Sequence, residues 1–302
     1  MARRGVSAQV LPPAAALRRI ALRIDFHAHS RQRSFDSTSS YDEIAEECAR
    51  AGIDVIVITE HDRLTPAAEL PSPADAHGVR MIPGIEVSIG TWGHFLAVGA
   101  ERVLDEEKHI RIGKAAILEC LGRARRRVEG HGAEALSVPE FREVMTEEVA
   151  SSIPTTATHD PLKFCRAVKA AGGFVSWAHP FVGNRLRKQL DTFAIARGSM
   201  SMVEFVAWLG DHDPLAGELL KEVDAVEGFN GMERGISSFL AQDLARALGK
   251  PVTAGSDGHT PGSYGSGWLD VETPSEGAPH DAPSLVHLLR TDVPGVTHLR
   301  WR

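Results

Sequence analysis

The stretch ALRIDFHAHS (21–30) is the key to the fold, because an apolar strand pattern ends there in two metal-capable side chains. An extended backbone points residues two apart to the same side, so His27 and His29 are expected to face one site. Six further apolar runs have the same texture. They are IDVIVIT (53–59), VRMIPGIEV (79–87), GHFLAVGA (93–100), FVSWAHP (174–180), DAVEGFNG (224–231) and PVTAGSDGH (251–259).

Helix-like segments separate most of these runs. They are SYDEIAEECARAG (40–52), DPLKFCRAVKAAGG (160–173), SSFLAQDLARALGK (237–250) and APSLVHLLRTD (282–292). The first carries its own boundaries: Ser40 is a candidate N-cap, Glu43 completes a capping box, and Gly52 ends the helix. Alternating strands and helices predict an α/β fold with a parallel sheet, and about seven such units favour closure into a barrel.

Three segments depart from this rhythm. Residues 1–20 are predicted to be a disordered leader, and 21–302 to be the barrel domain. Two amphipathic patterns between about 101 and 160 predict a helical insertion. The glycine-rich segment 251–268 is interpreted as a loop near the last candidate ligands, because it lacks the phosphate-binding glycine patterns.

Composition limits the classes of function. The formal charge of the 302-residue chain is −7 and no long basic stripe offsets it, so binding to a nucleic-acid backbone is disfavoured. Cys48, Cys120 and Cys165 are widely spaced and odd in number, which favours a reducing, cytoplasmic setting over a disulfide framework. Cys48 and Cys165 lie in helix-like stretches and are expected to be buried. No apolar run approaches the ~18 residues that a membrane span requires.

Metal-capable side chains recur at the predicted strand ends. They are His27, His29, His61, Glu86, His94, His179, Asp257 and His259. In a barrel these ends share one face, so the side chains are expected to converge. Imidazole with carboxylate suits zinc, manganese or iron, and the number of ligands predicts two or three divalent ions. His159, which precedes a helix, is left open as a cap or a site residue.

These segments resemble the PHP (polymerase and histidinol phosphatase) superfamily. The matching stretches are DFHAHS (25–30), ITEHD (58–62), IPGIEVS (82–88), GHFLAVG (93–99), SWAHP (176–180), VEGFNG (226–231) and AGSDGHT (254–260). The resemblance implies a distorted seven-stranded (β/α) barrel with two or three divalent ions. It implies the eight ligands above, with Glu86 bridging two ions, and adds Asp36 as a ninth ligand.

The sequence also departs from the family pattern. The second motif reads Thr59-Glu60-His61 where Thr-Asp-His is more usual, which resembles the histidinol-phosphatase branch. An Arg-Pro-His segment that accompanies nucleotide phosphatases is missing from the sequence, which counts against a nucleotide substrate. The segment GHFLAVG resembles a branch that includes carbamate-ester hydrolases.

The leading hypothesis is hydrolysis of a small-molecule phosphomonoester, with a metal-bridging hydroxide attacking phosphorus in line. His61 or His179 is the expected proton donor to the leaving group. Arg63 and Arg185 follow strand-end motifs and are the expected contacts for substrate phosphate. Three alternatives stay open: a carbamate, amide or carboxylic-ester hydrolase, a nuclease that trims short oligonucleotides, and a non-enzymatic metal-bound scaffold. The sequence does not specify an oligomeric state.

Overall fold

The computed structural model describes residues 19–34, 36–99, 160–198, 201–233, 235–274, 279–291 and 298–301. Within these ranges the strands are β1 (Arg19–Ala28), β2 (Val55–His61), β3 (Arg80–Ser88), β4 (His94–Val98), β5 (Phe174–Ala178), β6 (Ala225–Asn230), β7 (Val252–Gly255), β8 (Gly267–Pro274) and β9 (His298–Trp301). The helices are α1 (Tyr41–Ala51), α2 (Pro161–Ala170), α3 (Arg185–Arg197), α4 (Met202–His212), α5 (Pro214–Glu222), α6 (Ile236–Leu248) and α7 (Ala282–Thr291). Short 3-10 turns lie at Ala67–Glu69 and Gly90–Trp92.

Strands β1 to β7 follow one another around a ring in chain order, and β8 and β9 extend the sheet from β1. The ring closes beyond the end of β7, where Gly258 forms a parallel bridge with Ala28. Two backbone hydrogen bonds support this closure: His29 N donates to Gly258 O at 3.1 Å, and Asp257 N donates to His27 O at 2.8 Å. The expected α/β barrel with seven strands is confirmed.

The expectation of a parallel sheet is wrong at β4 within the ring, and at β8 and β9, which extend the sheet from β1 in antiparallel pairings. β4 pairs antiparallel with both β3 and β5. Only Ile89–Gly93 connects β3 to β4, and a parallel crossover needs a dozen or more residues. The first residue of β4 therefore lies at the same end of the ring as the last residues of its neighbours, with His94 opposite Ser88 and Ala178.

Alternate residues of a strand pack on opposite sides of the ring wall. Val55 and Val57 of β2 belong to an interior cluster to which every ring strand contributes, whereas Ile56 and Ile58 pack in a second cluster with α1. Helix α7 adds Leu285 and other apolar side chains to the interior cluster. The contacts of α7 include β3 and β4, and Arg290 of this helix donates to Gly173 O just before β5, so it covers the end opposite the ligands.

The expected boundaries of α1 are confirmed. Ser40 and Glu43 form both hydrogen bonds of a capping box, and Gly52 adopts the left-handed conformation with φ 73° at the C-terminal end. Cys48 of this helix and Cys165 of α2 are both fully buried, as expected.

Several expectations meet the limits of the described chain. The predicted insertion lies almost entirely within residues 100–159, which are outside the described residues, as are His159 and Cys120. Strand β1 begins at Arg19, so the last two residues of the expected leader belong to the strand, and residues 1–18 are not described. The segment interpreted as a loop at 251–268 contains β7 and the start of β8. Among the described helices, none is long and apolar enough to cross a membrane.

Candidate metal centre

The ring brings all nine expected ligands to one end. They come from β1 and the loop after it, from the ends of β2 and β3, from the start of β4, and from the residues just beyond β5 and β7. Three groups of three residues could each hold a metal ion, because the three ligand atoms within each group lie within 4.8 Å of one another. The groups are His29, His61 and His259; His27, His29 and Asp257; and Glu86, His94 and His179.

Glu86 lies in the middle of this arrangement. Its Oε1 is 2.7 Å from His94 Nδ1 and 3.2 Å from His179 Nε2. Its Oε2 is 2.8 Å from His61 Nδ1 and 3.2 Å from His29 Nε2. Because the two oxygens face different histidines, one carboxylate can serve two neighbouring cation positions.

Asp257 holds a second position with the first histidine pair. Its Oδ1 is 3.2 Å from His29 Nε2 and 3.4 Å from His27 Nε2. The two imidazole Nε2 atoms are themselves 3.1 Å apart. Both histidines are fully buried, so the close approach of their nitrogens calls for a shared cation or proton.

Asp36 joins the cluster from the loop after β1. Its Oδ2 is 3.0 Å from His61 Nε2 and 3.5 Å from His259 Nε2. One third of the Asp36 side chain is exposed, so this group forms the solvent side of the centre.

The residues present fit divalent metal ions. Glu86 Oε2, His94 Nδ1 and His179 Nδ1 are buried polar atoms that form no hydrogen bond of acceptable geometry, although Glu86 closely approaches the His61 and His94 rings. Orphaned buried atoms of this kind are rare unless an ion or water completes them. A mixed imidazole and carboxylate set suits zinc, manganese or iron better than magnesium or calcium.

The cluster is strongly coupled electrostatically. Burial lowers the pKa of His27, but Asp257, Glu86 and Glu227 outweigh burial and raise that pKa well above its usual range. Burial raises the pKa of Glu86, yet the imidazoles of His27 and its neighbours outweigh it and hold the pKa well below its usual range. A bound cation would take the place of the shared protons that this arrangement favours.

The backbone is strained next to the ligands. Asp62, His179 and Asp257 all have positive φ, at 49°, 26° and 51°. Non-glycine residues adopt this region rarely, and such strain collects at functional sites. Asp62 accepts a hydrogen bond from Ser88 N at 2.7 Å, which fixes the turn after β2 against the end of β3.

Sequence reasoning did not assign roles to two residues of the VEGFNG segment that support the centre. Glu227 Oε1 lies 2.8 Å from His27 Nδ1, and its Oε2 accepts from His179 N at 2.8 Å. Asn230 donates to Glu227 at 3.1 Å and to Asp257 at 3.0 Å. The available signal was the carboxylate of Glu227 in an otherwise apolar strand, because a buried carboxylate requires hydrogen-bond donors beside it.

The two arginines expected to contact substrate differ in their surroundings. Arg63 is exposed immediately beyond β2. Arg185 begins α3, where its Nε donates to Asp213 at 2.7 Å and its guanidinium lies 4.6 Å from the centre of the Trp92 ring. About 40% of the Arg185 side chain stays exposed, so its position is fixed while part of it faces solvent.

Residues 25–120 match the family described as "PHP domain", and residues 235–290 match the family described as "PHP-associated". The chain contains a PHP domain. Its first motif lies within that match, in the strand that carries His27 and His29.

Solved structures agree with the PHP-domain fold. A protein from Bifidobacterium adolescentis assigned as a metal-dependent phosphoesterase superposes with a TM-score of 0.53 and 17% identity, over 90% of this chain and 97% of its own. An amidohydrolase from Chromobacterium violaceum, solved with bound sulfate and no metal, gives a TM-score of 0.50 and 19% identity, over 88% and 95%. At these identities the likeness concerns the fold.

The PHP domain also resembles parts of curated DNA polymerases. The error-prone DNA polymerase of Mycobacterium tuberculosis is 36% identical over 66 residues, or 22% of this chain and 6% of the polymerase. The PolC-type DNA polymerase III of Bacillus subtilis is 28% identical over 89 residues, or 29% of this chain and 6% of the polymerase. The matches thus span a small fraction of each polymerase.

Proposed function

We propose that this PHP-domain protein is a metal-dependent hydrolase that cleaves a small-molecule phosphomonoester. The observation that carries the proposal is the central position of Glu86, whose two carboxylate oxygens face separate groups of histidines. Adjacent divalent sites of this kind recur in enzymes that cleave phosphate esters. The B. adolescentis structure, assigned as a phosphoesterase, favours the same reaction class.

Two or three divalent ions of manganese, zinc or iron, when bound, would lower the pKa of a water molecule and neutralise charge on the phosphoryl oxygens. The nine ligands His27, His29, Asp36, His61, Glu86, His94, His179, Asp257 and His259 would hold them. Glu227 and Asn230 keep His27 and Asp257 in place from behind. The burial of His27, His29 and Glu86 excludes bulk water from the inner side of the centre.

His61 or His179, whichever is not fully committed to a metal ion, is the proposed proton donor to the leaving group. Carboxylates flank the His61 ring on both sides, with Glu86 at Nδ1 and Asp36 at Nε2. His179 contacts the same glutamate, and its side chain is exposed to nearly the same extent as that of His61, at 12% against 14%. The partial exposure of Asp36, which contacts His61, supports the proposal that a substrate approaches from this side.

Arg63 and Arg185 are the proposed contacts for the substrate phosphate. Arg63 is exposed beside the second motif and forms no ion pair within the described ranges, so its charge is available. Arg185 is held by Asp213 and Trp92 and would act as a fixed point of positive charge. The reaction is proposed to take place in the cytoplasm, where buried thiols such as Cys48 and Cys165 stay reduced.

Two other hydrolytic reactions have an observation in their favour. The likeness to a C. violaceum amidohydrolase favours an amide, carbamate or ester substrate. The local matches to DNA polymerases favour a nuclease. The formal charge of −7 counts against the nuclease, because the phosphate backbone of an oligonucleotide would be repelled.

The first experiment is elemental analysis of the purified protein, combined with a p-nitrophenyl phosphate assay with and without manganese. We expect two to three transition-metal equivalents, and loss of activity in His27→Ala. Arg63→Ala should raise KM for the phosphate ester at unchanged metal content. Bound metal without phosphatase activity would contradict the proposed substrate class, and panels of carbamate, amide and oligonucleotide substrates would then identify the reaction. Failure to bind any metal would contradict the proposed centre itself.

A further inference from the structure

Glu60 is a buried carboxylate that does not face the metal centre. It precedes the ligand His61 in β2, and alternation along the strand directs its side chain away from that ligand. It is fully buried and forms no ion pair among the residues that the structure describes. Its oxygens accept hydrogen bonds from Ser30 N, at 3.2 Å, and from the hydroxyl groups of Ser30 and Ser34.

Ser34 links this carboxylate to a ligand. Its Oγ lies 3.3 Å from Nδ1 of His29. The Ser34 hydroxyl donates its single proton to Glu60 Oε2. The Ser34 oxygen is then an acceptor toward the imidazole, and His29 Nδ1 must carry the proton.

The opposite nitrogen of this ring faces the centre. His29 Nε2 is 3.2 Å from Glu86 Oε2 and 3.2 Å from Asp257 Oδ1. A metal ligand must offer an unprotonated nitrogen, so the tautomer with the proton on Nδ1 is the one that can bind an ion. The path from Glu60 through Ser34 selects that tautomer.

Two other proposed ligands also have a hydrogen-bond acceptor at Nδ1, but theirs is an oxygen that carries no proton. His27 Nδ1 faces the carboxylate of Glu227 at 2.8 Å, and His259 Nδ1 faces the backbone carbonyl of Asp257 at 2.7 Å. In each case the acceptor at Nδ1 favours the neutral tautomer that carries its proton on Nδ1 and leaves Nε2 unprotonated. His29 differs because its Nδ1 faces the hydroxyl of Ser34, which could either donate or accept a hydrogen bond. A second acceptor, Glu60, must therefore determine where the hydroxyl proton points.

We propose that Glu60 and Ser34 are positioning residues that fix the proton of His29 on Nδ1 and so keep Nε2 available as a metal ligand. The proposal rests on the metal-dependent function proposed above. It accounts for a buried glutamate in the Thr59-Glu60-His61 motif that forms no ion pair with the described residues: its function is to orient the Ser34 hydroxyl. Outer partners of this kind change metal affinity by roughly 10–100-fold when they are removed.

The tautomer can be read directly in the metal-free protein. Long-range ¹H–¹⁵N spectra of ¹⁵N-histidine-labelled protein distinguish protonated Nδ1 from protonated Nε2, and His29→Asn identifies the His29 signals. We expect the proton on Nδ1 in the wild type and a shift toward Nε2 in Ser34→Ala. A proton on Nε2 of wild-type His29 would overturn the proposal. Because this measurement involves neither metal nor turnover, it separates the proposal from failure of the proposed function.

Metal affinity supplies the second test. Ser37→Ala is the matched control, because Ser37 is also buried in the loop after β1 but donates to the backbone oxygen of His29, at 3.0 Å. We expect Ser34→Ala to weaken manganese binding by roughly 10–100-fold in calorimetric titrations. Ser37→Ala should bind as the wild type does, and Ser34→Thr, which keeps a hydroxyl, should recover affinity. Equal affinities in the two alanine variants would contradict the proposal, provided that both unfold at similar temperatures.

Discussion

At the scale of single residues, Asp25 shows how a buried carboxylate organises the end of the ring. It is fully buried and accepts backbone hydrogen bonds from His27, Ser256 and Gly265, at 3.2, 2.9 and 3.1 Å. Burial raises the pKa of Asp25 to about 6, although the three donors oppose this shift. The residue thus joins β1 to two loops and is harder to ionise than in the unfolded chain.

The raised pKa of Asp25 makes a pH-dependent prediction for Asp25→Asn. An acid whose pKa rises on folding, here from 3.8 to about 6, makes the folded state less stable as pH increases through that window. Asn does not ionise, but its NH₂ group would face a backbone N–H donor and could not accept the hydrogen bond. We therefore expect the variant to be less stable than the wild type at pH 4. The deficit should shrink by roughly 2 kcal/mol between pH 4 and pH 6, and by about 3 kcal/mol over the whole titration, since each pKa unit corresponds to about 1.36 kcal/mol.

Urea denaturation of both proteins in EDTA across this pH range measures the difference. A stability difference that is constant with pH would show that Asp25 titrates alike in the folded and unfolded states.

At the scale of elements, the closure of the ring depends on a close approach between β7 and β1. A Cβ atom on Gly255, the last residue of β7, would lie 2.3 Å from His27 Cβ and 2.6 Å from His27 N. Only glycine permits this approach, and the neighbouring bond from Asp257 N to His27 O depends on it. The same packing that closes the ring therefore places His27 and Asp257 side by side.

Gly255→Ala should separate these two strands. We expect a loss of about 1–3 kcal/mol in the free energy of unfolding, as for other overpacked cores, together with weaker metal binding. Gly210→Ala in α4 is the control, because nothing lies within 4 Å of the added Cβ. That helical substitution should be neutral or stabilising by up to about 1 kcal/mol. Equal effects of the two substitutions in chemical denaturation would mean that the β1–β7 contact can relax.

At the scale of the whole molecule, the candidate ligands join distant parts of the chain, from His27 in β1 to His259 beyond β7. Without cations, buried carboxylates and imidazoles must share protons at the end of the ring. Bound ions would link six of the seven ring strands at once, because only β6 lacks a proposed ligand at or beside its end. Metal binding should therefore stabilise the complete fold.

We expect manganese to raise the thermal midpoint and EDTA to lower it. A ligand at 100 times its dissociation constant stabilises the folded state by about 2.7 kcal/mol. Asp257→Asn should reduce this increment, whereas Asp191→Asn, which alters an exposed ion pair with Arg187, should keep it. Differential scanning calorimetry with matched metal and EDTA samples provides the comparison. An undiminished increment in Asp257→Asn would exclude this carboxylate as a ligand.

The sequence alone determined the class of fold and the residues that the ring brings together. Apolar β-branched runs such as 53–59 predict buried strands, and the box formed by Ser40 and Glu43 predicts the start of α1, because periodicity and caps act over a few residues. Placing metal-capable side chains at strand ends was enough to predict their convergence, since those ends share one face.

Only the tertiary structure decided the rest. The direction of β4, the support of His27 by Glu227, the path from Glu60 through Ser34 to His29, and the pairing of Arg185 with Asp213 all depend on which distant segments meet. His27 and Glu227 are 200 positions apart in the chain. No local pattern encodes such a pair, because the contact exists only after the ring has closed and buried both groups.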